Sequence, residues 1–137
     1  MKLKSKLVTL ALGGVLAVGA TTTAFAGPDI GEFYEKFTFS KTGYTSYLTK
    51  QKTGSNGVCN TTAIAGKSKY HNAMLVNSEK KARSANPSVY QGQRKELDVK
   101  AVADAPQKGY MYMQKHTVPT LGTTTSGTFS VDNKYDF

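Results

Sequence analysis

"FYEKFTFSKTGYTSYLTKQKTGSNGVCNTTAIA", residues 33 to 65, holds three apolar–polar alternations separated by turn residues. In the first, Phe33, Glu35, Phe37 and Phe39 fall on one side of a period-two strand, with Tyr34, Lys36 and Thr38 opposite. Lys41-Thr42-Gly43 interrupts the pattern. Tyr44 to Lys52 resumes it, with Tyr44, Ser46, Leu48 and Lys50 facing one way and Thr45, Tyr47 and Thr49 the other. The Asn56-Gly57 pair then predicts a tight hairpin, because both residues accept positive φ. Its return strand, Val58 to Ala65, is rich in β-branched residues.

The same rhythm continues outward. Tyr70 to Val76 reads as a strand, and Ser78 to Pro87 as a polar loop with at most a turn of helix, since it lacks an apolar stripe. Ser88 to Gln91, Glu96 to Val102 and Tyr110 to Val118 alternate again. A Thr/Gly-rich connection, TLGTTTSG, leads to a last strand at Thr128 to Asp132. About eight short strands without a helical crossover predict an all-β fold, an antiparallel β-sandwich.

Upstream, Lys2, Lys4 and Lys6 precede an uncharged apolar run, Leu7 to Ala20. Ala24 and Ala26 then occupy the small-residue positions of an A-x-A cleavage site. This order predicts a signal peptide over residues 1–26, removed on export, and one secreted, extracellular domain over 27–137. The apolar run is shorter than the ~20 residues a membrane-spanning helix needs.

Charge is the main functional signal. The chain has 18 Lys+Arg against 9 Asp+Glu; removing Lys2, Lys4 and Lys6 leaves fifteen against nine, a net of +6. Lys67 and Lys69, then Lys80, Lys81 and Arg83, then Arg94 and Lys95 fall in or beside expected loops. Loops gather at the ends of a sandwich, so several of these are expected to converge into a surface for an anionic partner. Outside a cell that partner is an envelope polymer or lipid headgroups rather than nucleic acid.

Catalytic chemistry is not expected. Cys59 is the chain's single cysteine, so no internal disulfide forms; a nucleophile and a dimer bridge are the alternatives to a packed thiol. A thiol nucleophile needs a presented imidazole, yet His71 and His116 sit within strand patterns rather than on exposed turns. The packed thiol is the reading adopted. Glu96 and Asp98 share a strand face that Lys100 continues, as any solvated face does. Two histidines, one cysteine and scattered acids give no metal-ligand spacing. No Gly-rich loop joins a strand to a helix, so neither metal nor cofactor is expected.

The aromatic "EFYEKFTFS", the Gly-Tyr-Thr turn, "GSNGV" and the C-terminal "TSGTFSVDN" form a layout over most of residues 27–137. It resembles small exported β-sandwich proteins of Gram-positive bacteria, a group similar in part to lactococcin-type bacteriocins. The resemblance implies a non-enzymatic, bacteriocin-like antagonist acting at the cell envelope. The alternative is a structural or adhesive matrix-type protein using its strand edges.

Overall fold

The computed structural model describes residues 28–52, 54–99, 111–133 and 135, with backbone only over 111–114. The expected signal peptide, residues 100–102 of the expected Glu96 to Val102 strand and Tyr110 of the expected Tyr110 to Val118 strand lie outside the described residues. The described residues form eight strands: β1 (Gly31–Phe37), β2 (Thr42–Thr49), β3 (Gly57–Gly66), β4 (Tyr70–Asn77), β5 (Ser88–Tyr90), β6 (Arg94–Leu97), β7 (Met111–Thr117) and β8 (Thr123–Ser130). There is no α-helix among the described residues.

All strand pairs are antiparallel, in two four-stranded sheets. Sheet I has the order β1-β8-β3-β6 and sheet II the order β2-β7-β4-β5. Among the described strands, only β4 and β5 are consecutive in sequence and also in the same sheet. The last two strands take interior places: β8 lies between β1 and β3, and β7 between β2 and β4.

One buried apolar cluster draws on both sheets. Phe33, Cys59, Leu97 and Phe129 come from sheet I, and Ala73, Leu75 and Val89 from sheet II, with Val99 and Val131 just beyond strand ends. Each fully buried Leu or Phe contributes roughly 1.5–3 kcal/mol by leaving water. The alternation expected for β1 is present, with Phe33 and Phe37 buried and Tyr34 and Lys36 exposed. Phe39 departs from it and is 97% exposed, because β1 ends at Phe37 and the chain bends.

The Asn-Gly hairpin does not form. β2 and β3 lie in different sheets, so the segment between them crosses over instead of reversing. Neither Asn56 nor Gly57 adopts positive φ; Gly54 does, at 76°. Asn56 is a side-chain clamp, its Oδ1 accepting the Val99 N–H at 3.2 Å. Gly57 is needed for space, since a Cβ there would lie 2.6 Å from Leu75 Cδ1 of the opposite sheet.

Two further departures follow from register. Residues 123–127 of the Thr/Gly-rich segment read as a connection belong to β8, and Thr123 and Thr125 are fully buried there. A bulge between Tyr44 and Tyr47 shifts β2. It leaves Thr45 and Lys50 inside, where simple alternation had put them on opposite faces. Ser78 to Pro87 has no helical turn; it folds back along β4, with a bridge from Val76 to Ala82 and an Arg83 N–H to Leu75 C=O bond of 2.8 Å.

Candidate polyanion-binding surface

The seven basic residues singled out from the sequence fall into three groups. Lys67 and Lys69 occupy the β3–β4 turn, and Lys80, Lys81 and Arg83 the β4–β5 turn. β4 separates these groups by its eight-residue length, about 24 Å at ~3.4 Å per residue. Arg94 and Lys95 lie on β6, an edge strand of the other sheet.

The groups also differ in what holds them. Arg94 donates to Asn133 Oδ1 at 3.0 Å, approaches Glu96 at 3.5 Å and covers the Tyr135 ring. Lys81 pairs with Glu79 at 2.8 Å, and that hydrogen bond with its charge holds the Glu79 carboxyl below its usual range. Lys80 has a positive φ of 62° and reaches back over the Tyr44 ring, 4.9 Å from its centroid. Among the described residues no carboxylate pairs with Lys67, Lys69, Lys80, Lys95 or Lys115.

Sheet II explains where Lys80 points. Its inward side chains are His71, Ala73 and Leu75 on β4, all fully buried, so Tyr70, Asn72 and Met74 occupy the outward face. Register places Tyr44, Lys115 and Met74 in one row across β2, β7 and β4. Thr42, Thr117, Asn72 and Ser88 make the next row, and Tyr70 with Tyr90 the third. The four strands of sheet II contain no Asp or Glu, whereas sheet I carries Glu32, Glu35 and Glu96. Lys115 joins Lys80 on this face only through strand register, which periodicity within one segment does not reveal.

Behind this face lies a buried polar chain. Cys59 Sγ is 3.7 Å from Thr61 Oγ1, which is 2.7 Å from His71 Nε2; His71 Nδ1 is in turn 3.1 Å from His116 Nδ1. Thiol and imidazoles, not expected together, are thus brought into one cluster, with Thr61 between them. Both rings are fully buried under Phe33, whose ring centroid is 4.2 Å from that of His116. Burial lowers His71 from 6.5 to about 4, opposed by a hydrogen bond to the Asn72 backbone. Burial and the neighbouring His71 lower His116 to about 3. Cys59, Thr61, His71 and His116 have no exposed surface through which a substrate reaches them. No group of three or more metal-binding side chains occurs among the described residues.

A second buried cluster ties the chain's two halves. Lys50 Nζ donates to Ser55 C=O and Val131 C=O, both at 2.6 Å, and to Asp132 Oδ1 at 2.8 Å. Asp132 also accepts the Gln51 and Lys52 N–H groups, at 2.7 and 3.3 Å. An ammonium with three acceptors is fully satisfied, so this is a structural anchor. No family model, curated protein or solved structure matches the chain.

Proposed function

We propose that this is an exported, non-enzymatic protein whose two sheets pack as a β-sandwich. It acts at the Gram-positive cell envelope as a bacteriocin-like antagonist, binding anionic wall polymer or membrane surface. The observation that supports this most is the segregation of charge. Sheet II has no acidic residue in its strands, and basic turns flank it at both ends. Opposite-sign polymers are drawn to such a surface from solution, with a strength that ionic strength controls.

The test is binding of residues 27–137 to purified Gram-positive walls and to anionic vesicles at rising salt. Between ~0.1 M and ~1 M the Debye length falls from ~10 Å to ~3 Å, so binding should largely disappear. Binding that is absent at low salt, or strong and indifferent to salt, overturns the reading. Spotting the protein on lawns of related strains, with heat-unfolded protein as control, tests the antagonist part.

A structural or adhesive role has its own support in exposed apolar groups along the β1 side. Ile30 is 71% exposed and Tyr34 70%, on or next to a strand that ends sheet I. Concentration-dependent assembly in sedimentation would favour it.

A further inference from the structure

We propose that the outward face of sheet II is the binding site, and that its ligand is a phosphodiester-linked polymer bearing sugars rather than a membrane. This rests on the polyanion reading above and assigns it to one surface and one chemical class. Lys80 and Lys115 supply positive charge at one end of the face. At the other end Tyr70 and Tyr90 are paired across β4 and β5, with ring centroids 5.4 Å apart and Tyr90 about half exposed. Four residues of β4 separate Tyr70 from the Met74–Lys115 row, about 13 Å in an extended strand. A ligand engaging both ends is therefore a chain rather than a single sugar or phosphate.

Between the ends the face is polar. Asn72 Nδ2 donates to Asn86 C=O at 3.2 Å and to Ser88 Oγ at 3.3 Å, which fixes the amide and leaves Oδ1 as an acceptor for hydroxyl groups. Tyrosine rings take the apolar faces of sugars while cations take phosphates as charge-assisted partners. A lipid surface would need protruding apolar side chains beside the cations. Among the described residues the most exposed ones, Phe39, Ile30, Tyr135 and Tyr34, lie outside sheet II, whose own exposed rings, Tyr47 and Tyr90, carry hydroxyls.

The experiment titrates residues 27–137 with poly(glycerol phosphate) with and without sugar substituents, and with phosphatidylglycerol vesicles. Calorimetry follows the binding, because the chain's eight tyrosines would mix any fluorescence signal from Tyr70 and Tyr90 with that of the rest. The sugar-bearing polymer should bind about tenfold tighter than the bare one, the size expected of aromatic ring contacts. Tyr70→Ala/Tyr90→Ala should erase that difference, while Tyr70→Phe/Tyr90→Phe preserves it. Lys80→Gln/Lys115→Gln should weaken both polymers. Equal binding of the two polymers, an unchanged preference in the Tyr-to-Ala variant, or tighter binding to vesicles overturns the proposal. Loss of binding only in Lys67→Gln/Lys69→Gln would also overturn it while keeping the broader polyanion reading. Failure of the unaltered protein to bind any of the three probes at low salt overturns both.

Discussion

Lys50 and Asp132 are buried as an ion pair, whereas His71 and His116, equally buried, are held neutral. The difference lies in the surrounding backbone. Around Lys50, two carbonyls and a carboxylate meet the three N–H groups of the ammonium, and two backbone N–H groups meet the carboxylate. Around His116 the neighbours are Phe33 and a second imidazole, and its Nε2 has no protein partner. A buried charge is tolerated where hydrogen-bonding capacity is complete, and burial removes the charge where it is not.

Breaking the charged cluster should have the largest effect. Lys50→Met leaves Asp132 buried without its counter-ion and should destabilise the fold by about 3–5 kcal/mol in urea unfolding. Lys50→Met/Asp132→Asn should recover part of the loss, because the amide oxygen still accepts a backbone N–H but is uncharged. If the double variant is as unstable as Lys50→Met, the charge is not the cause.

The neutral cluster should respond to pH. Its folded-state values lie below the ordinary 6.5, so the unfolded chain takes up protons first as pH falls. Stability should therefore be intact above pH 6.5 and decline down to about 4 for His71 and about 3 for His116. The slope should be up to about 1.4 kcal/mol per pH unit per ring. His116→Phe should flatten the urea midpoint measured across that window. An unchanged slope would show that other groups set the acid limit.

Cys59→Ser should cost no more than ~2 kcal/mol, since it removes apolar contacts but keeps a partner in Thr61. A thiol-sensitive dimer on non-reducing electrophoresis would contradict its burial. The smallest effect belongs to the surface. Lys80→Gln/Lys81→Gln/Arg83→Gln should change stability by less than about 0.5 kcal/mol, because exposed charges and pairs contribute little. The same variant should weaken polymer binding.

Most strands were legible because alternation is local. Phe33 and Phe37 inward with Tyr34 and Lys36 outward needs only one segment's pattern. What failed was whatever a distant partner decides. Asn56-Gly57 has ideal hairpin chemistry, but the strands it would join lie in different sheets, and Asn56 is recruited by Val99. Thr123 and Thr125 look like linker residues until β8 is seen between two strands that bury them. Nothing in its own segment marks Lys50 as a buried cation, because two of its acceptors, Val131 and Asp132, are some eighty positions away. The basic groups were visible from composition, but their partition between the two sheets was not, because sheet membership is set by the crossovers.

The interior placement of the last two strands bears on how the chain can fold at all. β1 and β3 both pair with β8 and not with each other, and β2 and β4 are likewise joined only by β7. β3 with β6 and β4 with β5 can pair earlier, but β1 and β2 have no hydrogen-bonded neighbour until β8 and β7 are available. Only the β4–β5 hairpin forms locally. Such non-local pairing belongs to the slow class of small proteins, folding in milliseconds to seconds. A chain lacking β7 and β8 should remain unfolded, because the strand that joins each sheet comes later in sequence than every strand it joins.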